Sequence, residues 1–326
     1  MVAQRPAPDP WLSVVICTYN RADILRGSIE SLLNQAGETG TFEILVVDNN
    51  SSDDTAAVAR RYAADHGIRY IFEPAQGLAH ARNRGYAEAR GEYVAYLDDD
   101  ARADPAWIAG IHAILQQSDQ RPIGIGGPIY PYYLSEKPDW FLDEYEIRTW
   151  GDAPRFLEKG EFFSGSNMVF SREVLARFGG FDTDLGVKGD TLNLGEETRL
   201  FNKIWDGFLE TDLFYYSPAL KVYHLVPADK MNLHYFFKRR FMVGQSSLHS
   251  LFSPLDGYKK VSLTMGFSAF ILYKSLVAML KLPLYRSFHT WVIECMNPVI
   301  VGLGLVCACI GIRCSFDQFK IAESER

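Results

Sequence analysis

The chain has 326 residues, enough for one large α/β domain with an appendage or for two ordinary domains. Hydrophobic residues make up 48% and charged residues 22%, which excludes wholesale disorder. Lys plus Arg is 33 against 40 Asp plus Glu, a formal charge of −7, and this balance excludes a general nucleic-acid binder.

Residues 1–10 are polar and proline-rich, without the apolar core of a signal peptide, and read as a frayed start on the cytoplasmic side. Residues 12–17 (LSVVIC), 42–47 (FEILVV) and 93–97 (YVAYL) are short apolar runs that end in polar residues, as buried parallel strands do. Between the first two, residues 22–35 place Ile24, Leu25, Ile29, Leu32 and Leu33 at helical spacing. Residues 55–66 read as a second helix, opened by the polar run 49–54, which offers caps. Residues 69–72 read as a short strand, and 78–90 as a third helix ended by Gly91. This alternation predicts an open, mostly parallel sheet with helices on both faces. Ligands of such sheets sit at the carboxyl ends of the strands, so 18–21, 48–53 and 98–100 are the candidate site segments.

Beyond residue 120 the alternation stops. Residues 124–127 and 128–140 suggest strand and loop; 162–170 and 212–224 read as strands, 171–177 and 197–205 as helices. Residues 235–250 form an aromatic and basic amphipathic stretch. Two apolar segments follow, 261–282 and 289–312, each as long as the ~20 residues of a membrane-spanning helix. Lys274 falls inside the first, at a cost of roughly 2.5–3.5 kcal/mol if it were central in a bilayer, and a tight hairpin would bring it near Glu294. A buried hairpin of a soluble protein is the competing reading. The five cysteines show no zinc-type spacing and read as reduced thiols.

The acidic run Asp98-Asp99-Asp100 follows directly on an apolar strand. Carboxylates this close repel one another, and a divalent cation offsets that repulsion. A solvated turn is the plainer alternative. Asp48 also ends a buried strand, where a carboxylate accepts hydrogen bonds from a base or ribose, or caps the next helix.

Four segments in order, SVVICTYNRADIL (13–25), EILVVDNNSSDDT (43–55), GLAHARNRGYAEARGEYVAYLDDDA (77–101) and GSNMVFSREVLARFGGFDTDLGVKGDTLNLGEETRLFNKI (165–204), resemble the family 2 glycosyltransferases, in particular membrane-associated bacterial-type members. The resemblance implies an α/β GT-A fold, Rossmann-like, over residues 11–250, with a membrane-associated helical hairpin and tail over 251–326. It implies that Thr18, Tyr19 and Arg21 line the base pocket, that Asp48 holds base or ribose, and that Gly77, Arg82 and Asn83 border the nucleotide. Asp98 would contact ribose, Asp100 would ligate Mg2+ or Mn2+ as in a DxD motif, and Asp99 would share either task. His224, after the last strand of the domain, would approach the metal or the phosphates; a structural histidine is the alternative. Arg82 and Arg84 on their own would read as surface charges.

The pair Glu196-Glu197 stands where the family has Glu-Asp, so Glu197 is implied as the general base, with Glu196 as the other candidate. On residue type alone the pair would serve as acids at a helix N-terminus. The stretch 164–167 would line the acceptor side of the cleft, or form an ordinary turn. Residues 236–241 (FFKRRF) would face the pyrophosphate or acceptor, or lie against anionic headgroups. The implied activity is metal-dependent, inverting transfer from a nucleotide-diphosphate sugar to a glycan or lipid-linked glycan hydroxyl, at the cytoplasmic face of the inner membrane. Polyprenyl phosphate is the alternative acceptor. An inactive membrane-bound subunit of a polysaccharide assembly is the alternative from another class. A nucleotidyltransferase would carry a Gly-rich basic loop after the first strand, where this chain has CTYNRAD.

Overall fold

The computed structural model describes residues 9–118, 121–189, 191–192, 194–209, 212–251, 287–309 and the positions 266, 273, 276, 277, 280, 312, 314, 316 and 317. They fall into two compact units: Met1–Tyr132, Glu146–Thr183 and Leu200–Leu225 in the first, and Tyr133–Tyr145, Asp184–Arg199 and Val226–Arg326 in the second.

The first unit is built on β1 (Leu12–Thr18), β2 (Phe42–Asp48), β3 (Arg69–Phe72) and β4 (Tyr93–Asp98), all parallel, with β1 between β2 and β4. All seven residues of β1 are buried, which is why it reads as a continuous apolar run rather than an alternating one. Around them pack α1 (Ala22–Leu33), α2 (Thr55–His66) and α3 (Leu78–Glu88); α1 buries Leu25, Ser28, Ile29 and Leu32. After β5 (Ala101–Ala103) and α4 (Trp107–Gln117) come β6 (Gly124–Gly126), β7 (Ile129–Tyr132), β8 (Arg155–Phe156), β9 (Met168–Ser171) and α5 (Arg172–Phe178). The main sheet has eight strands in the order β3-β2-β1-β4-β9-β6-β11-β8, where β11 is Phe214–Tyr216. Strands β9 and β8 run against the rest. A separate three-stranded sheet sets β12 (Val222–Leu225) between β5 and β7.

Three sequence expectations need correction. The third helix stops at Glu88, and Ala89 is extended. The amides of Arg90 and Gly91 donate instead to Glu43 and Ser13, and a Cβ on Gly91 would meet the Leu12–Ser13 backbone at 2.6–2.9 Å. Gly91 therefore allows a close approach to β1 rather than capping a helix. The expected strand 162–170 is a 3-10 turn, Gly165–Asn167, followed by the short β9. The expected strand 212–224 is split in two, β11 and β12, which join different sheets.

That 3-10 turn is tied down by Asn167, which is fully buried. Its Oδ1 accepts from Trp107 Nε1 at 2.9 Å, and its Nδ2 donates to Pro128 O at 3.0 Å and Leu220 O at 2.7 Å. Replacing it leaves a buried indole N–H and two carbonyls without partners. Asn167→Ala is expected to lower the unfolding free energy by about 3 kcal/mol, read from urea denaturation.

The second unit contains β10 (Thr191–Leu192), the first turn of α6 (Glu196–Gly207), α7 (Leu233–Leu251), α8 (Phe288–Cys309) and β13 (Phe316–Asp317), which pairs with β10. Phe141, Val226 and Met231 form its small core, with Tyr133, Trp140 and Tyr145 against it. α8 corresponds to the second expected apolar segment and is long and apolar enough to cross a membrane by length and composition. Of the first, 261–282, positions 266, 273, 276, 277 and 280 are helical. The remainder, Lys274 with its expected pairing to Glu294, and residues 1–8 lie outside the described residues.

Candidate functional site

The carboxyl ends of β1, β2 and β4 collect the first unit's polar residues. Asp98 closes β4, and Asp99 and Asp100 lead into β5. β12 lies antiparallel to β5 with His224 opposite Ala101, and Leu225 N donates to Asp100 O at 2.9 Å. That register sets the imidazole beside the acidic run. His224 Nε2 is 3.1 Å from Asp100 Oδ1 and 4.0 Å from Asp98 Oδ2. One ligand atom from each of Asp98, Asp100 and His224 lies within 4.8 Å of the others.

Two arginines face this centre. Arg21 Nη1 is 3.8 Å from Asp100 Oδ2, and Arg82 Nη2 is 3.6 Å from Asp98 Oδ1. Arg82 is almost fully buried, its guanidinium 5.3 Å from the Phe181 ring centroid, so it is not the surface charge that residue type suggests. Asp98 is held further by Ser166, whose hydroxyl donates to its carboxylate, and by Ser28, whose hydroxyl donates to its main-chain oxygen at 3.1 Å.

Arg21 is placed by an interlock between two loops. The amides of Asn20, Arg21 and Ala22 donate to Ser51 Oγ, Thr55 Oγ1 and Asp53 Oδ2 at 3.0, 2.9 and 3.2 Å, and Ser52 N donates to Asn20 Oδ1 at 2.7 Å. The orphan amides at the start of α1 are thus satisfied across the loops rather than by its own N-cap side chain. Asn20 and Asn50 take the left-handed conformation there, with φ of 51° and 64°. Burial works to raise the Asp53 carboxyl, but hydrogen bonds from Thr55 and the Ala22 amide hold it below its ordinary value.

The other sequence candidates are placed as follows. Asp48 pairs with Thr18 across β1 and β2 and is buried; it accepts from Ser51 N at 3.0 Å and from Tyr70 Oη at 2.8 Å. Tyr19 is half-buried just beyond β1. Gly77 opens α3 at φ 141° and donates its N–H to Asn49 Oδ1 at 2.7 Å. Asn49 also reaches Ala75 O at 2.7 Å, shaping the segment before α3. Asn83 donates to Phe181 O and accepts from Phe181 N, both at 2.8 Å, so its carboxamide braces the turn at Gly180. Ser166, read from sequence within a stretch that lines the acceptor side of the cleft or forms a turn, is thus the support of Asp98, and Asn49, read as a cap residue, that of the α3 entrance.

Glu196 and Glu197 begin α6 in the second unit. Glu196 is buried; Gly186, at φ 85°, packs on it, and a Cβ there would lie 3.2 Å from Glu196 Cδ. Glu197 is half-exposed.

Electrostatically the acidic run is unbalanced. Burial, with repulsion from Asp100 and Asp98, pushes the Asp99 carboxyl up to about 7, against the opposing pull of Arg21 and the Thr18 hydroxyl. Burial also pushes the adjacent Cys17 thiol up. In chelator-treated protein, therefore, the folded chain holds the Asp99 proton more tightly than the unfolded chain, whose Asp titrates near 3.8. Thermal stability is expected to fall as pH rises from about 4 to about 7, and Asp99→Asn to flatten that slope in a calorimetric pH series.

Two carboxylates and an imidazole, with excess negative charge beside them, fit a hard-to-borderline divalent cation. Asp98, Asp100 and His224 would hold it, and it would neutralise an anionic ligand at the strand ends.

The glycosyl transferase family 2 model matches residues 13–179. The glucosyl-dolichyl phosphate glucuronosyltransferase of Haloferax volcanii is 27% identical over 242 residues, covering 72% of this chain and 75% of the relative. A GalNAc(5)-diNAcBac-PP-undecaprenol beta-1,3-glucosyltransferase of Campylobacter jejuni is 27% identical over 243 residues, covering 69% and 68%. Of some other curated relatives the chain spans about half the length. A mannosyltransferase from Pyrobaculum calidifontis, solved with GDP-Man and Mn2+, shares the fold with a TM-score of 0.59 at 20% identity, covering 93% of this chain and 91% of that one. A family match over half of the chain, carried on a GT-A sheet, means that this protein belongs to glycosyl transferase family 2 and is a glycosyltransferase.

Proposed function

We propose that the protein transfers a sugar, with inversion, from a nucleotide-diphosphate sugar to a hydroxyl of a lipid-linked glycan, at the cytoplasmic face of a membrane. The observation that carries the reading is the cluster of Asp98, Asp100 and His224 within 4.8 Å, flanked by Arg21 and Arg82. Acidic, imidazole and guanidinium groups together suit a metal-bound diphosphate, and neither cation alone would offset three adjacent carboxylates. The Mn2+ in the Pyrobaculum enzyme supports Mn2+ or Mg2+ as the ion. The names of the Haloferax and Campylobacter relatives, with their dolichyl phosphate and undecaprenyl diphosphate carriers, support a lipid-linked acceptor. In this reading residues 11–250 are the catalytic domain and 251–326 the membrane-associated tail.

The roles divide as follows. Thr18, Tyr19, Asp48, Gly77 and Asn83 shape the nucleoside pocket, with Asn83 acting through the Gly180–Phe181 turn. Asp98 orients the ribose and Asp99 is its neighbour. Arg21 and Arg82 hold the carboxylates in place against the repulsion of a bound anion. Asp98, Asp100 and His224 would hold a Mg2+ or Mn2+, which would supply charge neutralisation for the diphosphate. Glu197 takes the acceptor hydroxyl proton as its oxygen bonds to the anomeric carbon and the bond from that carbon to the diphosphate oxygen breaks. The nucleoside diphosphate leaves with the electron pair, on the opposite face of the sugar.

A thermal-shift screen of UDP, GDP and dTDP with and without Mn2+ tests the donor reading. One diphosphate is expected to raise the melting temperature by about 3 °C or more, and only with the ion. Equal response to all three without Mn2+ would sink it.

A further inference from the structure

We infer that α8 lies along the membrane surface as one side of a monotopic pair with α7, and does not cross the bilayer. The inference rests on the membrane reading above and answers what that reading leaves open.

By length α8 qualifies as a span, since twenty-two helical residues rise about 33 Å against a hydrocarbon core of about 30 Å. Its surroundings in the second unit argue otherwise. α7 and α8 make the most extensive contact between elements among the described residues. Their backbones approach so closely that a Cβ on Gly244 would overlap the Val301 carbonyl, and one on Gly304 the Phe241 carbonyl. Beyond the carboxyl end of α8, Cys314 N and O bond to the Gln245 carboxamide on α7, each at 3.2 Å. At its amino end, His289 stacks on Trp140 with centroids 5.5 Å apart and planes 18° apart. The ring contacts Trp140–Phe141, Phe141–Tyr145 and Tyr145–Phe236 lead from there to α7.

Both ends of α8 are thus tied to α7, at Phe236 and at Gln245. Between these two points α7 carries Lys238, Arg239 and Arg240 in succession. A crossing α8 would set its two ties on opposite aqueous faces and draw those three cations through hydrocarbon, where each is strongly disfavoured. An in-plane pair removes the conflict. Among the described residues Phe288, Met296 and Leu303 of α8 are exposed, 68%, 40% and 53%, and recur at seven- to eight-residue spacing, one side of a helix. This apolar face enters the acyl boundary, and the cations of α7 stay at the depth of anionic headgroups. The partner is therefore a bilayer surface with anionic lipid, met from one side only.

The test uses the full chain in an expressing bacterial host. With Cys295, Cys307, Cys309 and Cys314 changed to Ser, Ser287→Cys and Ile312→Cys separately mark the two ends of α8, off its apolar face; Cys17 is buried with a raised thiol pKa and stays silent. Both marks are expected to react with a membrane-impermeant maleimide in inverted vesicles and neither in intact spheroplasts. Reaction of one mark in each preparation would show a crossing and overturn the inference while leaving the membrane reading intact. Recovery of the chain in the soluble fraction would overturn both. The double substitution Met296→Asp with Leu303→Asp is expected to lower the membrane-bound fraction on the order of tenfold, with the diphosphate thermal shift retained as evidence of folding.

Discussion

Asp100→Asn is expected to reduce sugar transfer by about three orders of magnitude and to abolish the Mn2+-dependent part of the nucleoside diphosphate thermal shift. Asp100 is buried between His224 Nε2, 3.1 Å from its Oδ1, and Arg21 Nη1, 3.8 Å from its Oδ2. The amide keeps the volume and still accepts a hydrogen bond, so the fold is preserved. What it loses is the negative charge, and a carboxylamide is a poor ligand for a hard cation beside a diphosphate. Asp99→Asn is the contrasting variant. Burial and its acidic neighbours push its carboxyl up to about 7, so near that pH it is only partly ionised and neutralising it removes only part of a unit charge. Transfer by Asp99→Asn within about tenfold of the parent, beside the collapse of Asp100→Asn, would assign the ion to the outer carboxylates and His224. Near-normal turnover by Asp100→Asn with an unchanged Mn2+ response would remove the acidic run from the chemistry.

The parts of this site that the sequence revealed are those set by one strand and its own end. β1, β2 and β4 are buried on both faces, so their apolar runs stop where the chain leaves the sheet, and the next polar residue is necessarily at its rim. What depends on pairing between distant residues is not written in any one segment. The family resemblance points to His224, but its meeting with Asp100 exists because β12 takes its register from β5, which no local pattern shows. Ser166 supports Asp98 from a turn whose composition is that of any small polar loop. The polar run after β2 carries the composition of a helix cap, yet its side chains bond the α1 entrance, because cap and cross-loop latch call for the same residue types. Arg82 looks exposed on charge alone. Its burial follows from small neighbours on the same helix: Ala79, Ala81 and Gly85 are buried with it and let α3 sit close on the sheet. Even the short strands of the sheet's far half, two to four residues with glycine in β6, leave too little periodicity to place.

Glu197→Gln is expected to reduce transfer by about 10²–10⁴-fold, while the metal-dependent thermal shift by nucleoside diphosphate stays as in the parent. The amide retains the shape of the first turn of α6 but takes up no proton, so the acceptor oxygen must attack as a neutral hydroxyl. Glu196 separates the two roles that the sequence left joined. It is buried, with Gly186 in the left-handed region packed on its side chain, whereas Glu197 is half-exposed. A group that must receive an acceptor needs that exposure; a group sealed beneath a turn holds the turn. Glu196→Gln is therefore expected to lower the melting temperature more than Glu197→Gln does and to reduce turnover less. Glu197→Asp, which restores the family's usual residue, is expected to keep measurable transfer. If Glu196→Gln silences transfer at an unchanged melting temperature while Glu197→Gln turns over, the base is Glu196, and the longer side chain at 197 serves the helix terminus.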